Sequence, residues 1–142
     1  MKSAIQLVEA KGNETWSVAP GSSVIDALRL MAEKEIGAVL VTEGDTLVGV
    51  LSERDYARKV ILEGRSSSDT RVDEIMTRDV VYARPSHTVQ ECMALMTDKR
   101  VRHLPVMDDD KLFGMISIGD LVKETIAEQR FIIEQLEQYI TS

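Results

Sequence analysis

Two serine–aspartate pairs recur in this chain with the same spacing and in the same context. The pattern Gly-x-x-Ser-x-x-Asp occurs at Gly49, Ser52 and Asp55, and again at Gly114, Ser117 and Asp120. Each serine follows a hydrophobic run and stands where a helix N-cap is expected, with the aspartate in the first turn. A helix N-terminus donates N–H groups to an anion, and a carboxylate one turn further on can accept both hydroxyls of a ribose. The pattern therefore predicts a nucleotide site.

The same pairs also have a purely structural interpretation. A serine N-cap with an aspartate in the first turn stabilises a helix without any ligand, which is enough to explain one occurrence. Here the whole set recurs, because the stretch from Pro20 to Ile61 aligns without a gap with the stretch from Pro85 to Ile126, an offset of 65 residues. This recurrence favours binding. A period of that length indicates two copies of one small unit rather than a solenoid repeat.

Each copy is predicted to contain a short strand, a helix, two strands and a second helix. Apolar residues at helical spacing follow Ser22 and Ser23, either of which can cap the first helix, and continuous apolar runs indicate buried strands. In copy one the strands are expected at Trp16–Val18, Ala38–Val41 and Leu47–Leu51, with helices from Val24 and from Ser52 to about Leu62. In copy two the strands are expected at Val80–Tyr82, Leu104–Met107 and Leu112–Ile116, with helices at Val89–Lys99 and from Ile118.

The remaining segments connect or extend these copies. Glu63–Asp69 is polar and contains glycine and serine, as linkers do, and Val72–Met76 is predicted to form a helical turn. The last helix is expected to continue to about Tyr139. Its apolar positions recur with spacings of four and three, which is a heptad seam: Val122, Ile126, Gln129, Ile133, Leu136 and Ile140. The seam either folds back over its own domain or packs on a partner subunit.

Bulk properties exclude several classes of protein. The 142 residues carry a net charge of −7, which argues against duplex nucleic acid as a partner because such binding needs a basic face. No apolar run approaches the roughly 18 residues that span a bilayer, and the N-terminus lacks the pattern of a signal peptide. One cysteine, Cys92, excludes an internal disulfide. We expect a cytoplasmic protein without a membrane partner.

The two copies resemble a tandem CBS domain pair, or Bateman module. Each ends in the hydrophobic-Gly-hydrophobic-hydrophobic-Ser-x-x-Asp segment, and Asp73–Val80 and Arg100–Val106 add further likeness. The resemblance implies an α/β (α+β) fold in which two β-α-β-β-α repeats pack by pseudo-twofold symmetry. We expect CBS domains at 8–66 and 72–128 and a C-terminal helical extension at 129–142, in a stand-alone CBS protein.

The resemblance also implies a ligand. CBS pairs often form flat homodimers whose clefts take AMP, ADP, ATP, NAD or S-adenosylmethionine. Carried over by position, the two aspartates hold ribose hydroxyls, the two serines hold phosphate or ribose, and the residues near Val18, Ala38, Val80 and His103 enclose the base. The expected nucleotide-binding residues are Val18, Ala38, Ser52, Arg54, Asp55, Thr77, Val80, Arg102, His103, Pro105, Ser117 and Asp120.

The cations do not follow the repeat. Arg54 has Gly119 as its counterpart, whereas Arg102 and His103 have Gly37 and Ala38. The two clefts are therefore expected to differ.

The function implied is a non-catalytic regulatory module that binds an adenine nucleotide, needs no metal and acts on an unidentified protein. The alternative is a ligand-independent dimerisation or scaffold module that acts through its C-terminal helix. An enzyme is disfavoured because the sequence offers no nucleophile–base pair and no spacing of metal ligands.

Overall fold

The computed structural model describes residues 2–141, which form six α-helices and five strands. In chain order the elements are α1 (Ala4–Lys11), β1 (Ser17–Val18), α2 (Val24–Lys34), β2 (Ala38–Glu43), β3 (Thr46–Ser52), α3 (Glu53–Tyr56), α4 (Val72–Ile75), α5 (Val89–Lys99), β4 (His103–Asp108), β5 (Lys111–Ser117) and α6 (Ile118–Thr141). A π-helical turn, Ala57–Ile61, continues α3. Helix α1 was not predicted, although Ser3 and Gln6 form a capping box at its start.

The chain divides into two compact units that do not coincide with the sequence ranges of the two expected domains. The copy-one unit is Glu14–Val80, and the copy-two unit comprises residues 2–13 and 81–141 within the described range. Helix α4 lies within the copy-one unit. Helix α1 precedes copy one in the sequence but packs with copy two. Ser142, at the end of the expected C-terminal extension, lies outside the described residues.

The copy-one unit is a three-stranded sheet covered by helices. Strand β1 pairs in parallel with β2, and β2 pairs antiparallel with β3. Helix α2 begins after Ser23, whose hydroxyl accepts a hydrogen bond from the Asp26 amide at 3.3 Å. Its apolar face packs on the sheet, because removing these side chains from water is the main driving force for folding. The buried core consists of Val24, Ala27, Met31, Val39, Val41, Leu51, Val60, Val72, Ile75 and Met76.

The copy-two unit has the same arrangement with one strand missing. Strands β4 and β5 pair antiparallel, but the strand expected at Val80–Tyr82 does not form, and Ala83 makes a single parallel bridge to Val106. Proline at position 105 gives the reason. In copy one the Leu40 amide donates to the Trp16 carbonyl at 3.0 Å, whereas its counterpart Pro105 has no N–H to donate.

Helix α1 completes the copy-two core in place of that strand pairing. Ala4, Leu7 and Val8 are buried there together with side chains of the sheet and of helices α5 and α6. The other buried members are Ala83, Val89, Cys92, Met96, Leu104, Val106, Ile116 and Leu121. Burial raises the pKa of the Cys92 thiol to about 11, so this cysteine is an unreactive core residue.

The repeat extends to the backbone conformation. Glu35 and Arg100, each at the C-terminal cap of the first helix of its copy, have φ angles of 55° and 56°. Gly44 and Asp109, each in the turn between the paired strands, have φ angles of 62° and 51°. Both pairs are separated by the sequence offset, so the copies share their turns as well as their residues.

Among residues 2–141, no helix is both long enough and apolar enough to cross a membrane.

Candidate functional site

The first candidate site lies where β3 runs into α3. Ser52 is the N-cap, and its hydroxyl accepts from the Asp55 amide at 3.1 Å. Asp55 returns the contact: its Oδ2 accepts from the Ser52 amide and from the Ser52 hydroxyl, each at 3.0 Å. This is a capping box with aspartate as the third residue, and it holds the carboxylate at the helix N-terminus.

Two further groups hold Asp55. The Thr77 hydroxyl donates to Oδ1 at 3.2 Å and approaches Oδ2 at 3.4 Å, and the Lys59 ammonium lies 3.3 Å from Oδ1. Thr77 is positioned by reciprocal backbone hydrogen bonds with Val50 of 3.0 and 2.9 Å. Lys59 also donates to the Ile75 carbonyl at 2.9 Å. Both carboxylate oxygens of Asp55 are therefore engaged within the copy-one unit.

The second candidate site lies at the equivalent junction of β5 and α6. The Ser117 amide donates to Asp120 Oδ2 at 2.8 Å, and the Asp120 amide donates to the Ser117 hydroxyl at 3.2 Å. Lys11, the last residue of α1, donates to the same Oδ2 at 2.8 Å and to the Met115 carbonyl at 3.1 Å. None of the hydrogen bonds that Asp120 receives within the described part of the chain reaches Oδ1.

Electrostatics at the second site favour a charged aspartate and a neutral histidine. Burial alone would raise the pKa of Asp120, but the hydrogen bonds from Lys11 and Ser117 outweigh it and lower that pKa. His103 pairs with Ser117 across the two strands and is half-buried. Burial, together with the nearby Lys11 and Arg102 cations, lowers the pKa of His103 although the Asp120 carboxylate opposes it.

The structure brings together some of the other expected residues. Ala38 is buried and pairs with Ser52 across β2 and β3, which places it beside the first site. Arg102 lies beside the second site, where its carbonyl accepts from the Ile118 amide at 2.9 Å. Pro105 is buried in β4, where its carbonyl accepts from the Ala83 amide.

The remaining three expected residues lie at other places in the described structure. Val18 pairs with Val41 in β1, on the far side of β2 from β3. Val80 is partly buried and lies outside the strands. Arg54 is exposed in the first turn of α3.

Sequence reasoning missed both lysines. Lys59 stands four residues after Asp55 on one helical stretch, a spacing at which side chains meet, so the sequence contained its signal. Lys11 carried no such signal, because it lies outside the repeat and reaches Asp120 only through the placement of α1.

The glycine of each motif allows a neighbouring segment to approach the strand. A Cβ atom on Gly49 would lie 2.7 Å from Met76 Sδ and 2.9 Å from the Thr77 carbonyl oxygen. A Cβ atom on Gly114 would lie 2.5 Å from Val8 Cγ1. The two glycines thus seat the segments that carry Thr77 and Lys11, the groups that contact the aspartates.

Within residues 2–141, no group of three or more histidine, cysteine, aspartate or glutamate side chains is placed to hold a metal ion.

Comparison with known proteins identifies this arrangement. The family model of the CBS domain matches residues 14–62 and 72–126, one segment for each copy. The chain belongs to the CBS domain family. The two matches confirm the tandem CBS pair expected from the sequence, and they confirm the mixed α/β class of its fold.

Relatives of this CBS pair include a plant protein and a bacterial structure. The mitochondrial CBS domain-containing protein CBSX3 of Arabidopsis thaliana is 40% identical over 136 residues, which span 92% of this chain and 66% of that protein. A protein with CBS domains from Burkholderia ambifaria, described as a signal-transduction candidate, is 54% identical with a TM-score of 0.86. That comparison covers 90% of this chain and 96% of the other.

A more distant structure shares the fold. It is the CBS domain pair of protein MJ0100 in complex with 5′-methylthioadenosine and S-adenosyl-L-methionine, with 19% identity, a TM-score of 0.79, and coverage of 90% of this chain and 98% of the other.

Proposed function

We propose that this CBS pair is a non-catalytic regulatory module that binds an adenine nucleotide, namely AMP, ADP, ATP or NAD, without a metal. The observation that carries the proposal is the doubled capping-box carboxylate. Asp55 and Asp120 are each fixed at a helix N-terminus beside a lysine ammonium. A carboxylate can accept ribose hydroxyls, and an adjacent ammonium can contact phosphate.

The two ligands in the MJ0100 structure are consistent with this proposal, since both contain adenosine. A shared fold does not by itself transfer a ligand. The proposal therefore depends on the residues of this chain, in which the serine, the aspartate and a lysine occur together twice.

The two sites differ in how freely the aspartate carboxylate can accept hydrogen bonds from a ligand. Asp120 keeps Oδ1 clear of hydrogen bonds from the described residues, whereas a ribose at Asp55 has to displace Thr77 or Lys59. Breaking those contacts takes free energy from binding. We infer that Asp120 is the tighter site, with Ser117, His103 and Arg102 around it, and that Asp55 is the weaker one, with Ser52, Ala38 and Thr77.

Arg54, Val18, Val80 and Pro105 stay in the proposal as residues that line the bound ligand. Regulation then requires that the nucleotide bind two arrangements of the chain with different affinity, which a partner protein reads. We also propose that the protein forms a homodimer. We further propose a cytoplasmic location, with which the free thiol of Cys92 is compatible.

Calorimetric titration of AMP, ADP, ATP and NAD into the full chain tests the proposal, with GTP as the control for the base. At least one adenine nucleotide should give a saturable heat that GTP does not, and mass spectrometry of the purified protein should find the same compound. If none of the four adenine nucleotides gives heat, the proposal is wrong.

A second candidate function is favoured by the exposed apolar side chains of α6. In it the chain is a ligand-independent dimerisation or scaffold module. The same titration separates the two candidates, because this one predicts association without nucleotide binding.

A further inference from the structure

Helix α6 is packed at its start and solvent-exposed over its second half. Leu121 is buried in the copy-two core, and Thr125 contacts the Met93 sulfur at 3.7 Å. From Gln129 to Thr141 every residue is exposed. A polar surface would be expected there, yet the exposed segment is rich in large apolar side chains.

These side chains form one face with two different shapes. Near the start of the helix, Val122, Ile126 and Ala127 line an apolar groove together with Lys123 and Arg130. Further on, the same heptad seam projects as a ridge formed by Ile133, Leu136 and Ile140, which are 53%, 57% and 79% exposed. One helix therefore carries both an apolar groove and an apolar ridge.

We propose that α6 pairs with α6 of a second copy in antiparallel orientation. A twofold axis near Phe131 then places the ridge of each chain in the groove of the other, so that the interface is self-complementary. Val122 meets Ile140 of the partner subunit, Ile126 meets the partner's Leu136, and Gln129 meets the partner's Ile133. Every seam residue from Val122 to Ile140 is covered, as knobs-into-holes packing requires. This interface is independent of nucleotide binding.

Charges beside the seam select this orientation. Lys123 and Glu137 flank the seam on one side. In the antiparallel pair Lys123 faces Glu137 of the partner subunit twice. In a parallel pair the two residues are separated by about 21 Å along the helix axis and do not meet. Charges that flank a heptad seam set the orientation of its helices. The arrangement also brings Arg130 against the partner's Arg130 at the twofold axis, which is unfavourable because the two charges are alike.

The apolar part of the proposal is tested by sedimentation equilibrium on the full chain. Leu136→Glu and Ile133→Glu place a charge in the seam, and each should weaken dimerisation by roughly 30-fold or more, as expected for interface anchors. Phe131→Glu is the matched control. Phe131 is 62% exposed on the same helix but points away from the seam, and its replacement should change the dissociation constant by less than about threefold.

The orientation is tested by exchanging the charges. Lys123→Glu and Glu137→Lys should each weaken the dimer by about 3- to 10-fold, and the double variant should restore it. Arg130→Gln should strengthen the dimer, because it removes the repulsion at the axis. Three results would overturn the proposal. The wild-type chain could be monomeric at about 100 μM, a concentration at which a dimer with a micromolar dissociation constant is largely formed. The dimer could be unaffected by Leu136→Glu, or the double charge variant could dimerise more weakly than both single variants.

Discussion

The Asp55 and Asp120 sites share a serine-capped carboxylate and differ in what else holds it. Asp55 is engaged at both oxygens by Thr77 and Lys59, which follow it in the same unit. Asp120 is engaged at Oδ2 by Lys11, a residue from the other end of the chain. The repeat therefore encodes the capping box. How available each carboxylate is to a ligand depends on Thr77 and Lys11, which lie outside the repeat, and on Lys59, whose counterpart in copy two is Glu124.

The largest effect on this comparison should come from Gly114→Ala. The new methyl would collide with Val8, displace α1 and so remove the seat of Lys11. We expect a loss of about 1–3 kcal/mol in the free energy of unfolding, as for overpacking in a core. Urea denaturation measures it.

Two further variants make that result specific. Gly21→Ala is the matched control, since a Cβ there meets nothing within 4 Å, and it should change stability by less than about 0.5 kcal/mol. Val8→Ala combined with Gly114→Ala should cost less than the two single changes together, because shortening Val8 removes the collision. Simple additivity of the two changes would contradict the close approach.

Thr77→Val tests the hydrogen bond that the Thr77 hydroxyl donates to Asp55, a contact that belongs to the first site. The substitution preserves shape and removes the hydrogen bond to Asp55. The free energy of unfolding should fall by about 1 kcal/mol, as for one lost hydrogen bond. It should also raise nucleotide affinity at Asp55, since one competitor for the carboxylate is gone. Unchanged stability would show that Thr77 does not hold Asp55 in solution.

Lys11→Met acts on the other site. Both partners of this ion pair are partly exposed, with 42% and 28% of their side-chain surface accessible, so the cost in stability should be below about 1 kcal/mol. The clearer readout is the pKa of Asp120, which Lys11 helps to hold below its ordinary value of 3.8 and which should rise. A carbon-13 NMR titration of the carboxyl measures it. Lys59→Met should leave the pKa of Asp120 where it is, and an equal rise in both variants would rule out a specific role for Lys11.

The smallest predicted effect is a gradual change in the free energy of unfolding with pH, which depends on His103. Its pKa is lowered from the ordinary value of 6.5, so the unfolded chain binds more protons than the folded one between the two values. The free energy of unfolding should therefore fall as the pH drops below about 6.5. In His103→Gln this fall should be smaller, as measured by urea denaturation at pH 7.5 and 5.5. A steeper fall in the variant would contradict the sign.

Local features of the fold were predictable from the sequence. Ser52 and Ser117 stand where N-caps are expected and do cap their helices, because capping depends only on neighbouring residues. The paired strands and α5 follow from continuous apolar runs and helical spacing. The missing strand of copy two was also encoded, since Pro105 cannot donate the hydrogen bond that Leu40 donates in copy one.

Long-range placement was not predictable. Nothing near Lys11 in the sequence indicates that it lies 2.8 Å from an oxygen of Asp120. That contact follows from Val8 packing against Gly114, a juxtaposition of distant segments. The placement of α1 with copy two is of the same kind, because a repeat in the sequence does not state which sheet a helix outside it will cover.

The most direct test of the account is calorimetric titration of the tightest adenine nucleotide into Asp120→Asn and Asp55→Asn chains. Asp26→Asn is the matched control, because Asp26 stands at the same position after a capping serine but outside the repeated motif. The account predicts that Asp120→Asn abolishes the tighter binding, that Asp55→Asn removes only the weaker binding, and that Asp26→Asn changes neither. Wild-type affinity in both motif variants, or an equal loss in the Asp26 variant, would contradict it.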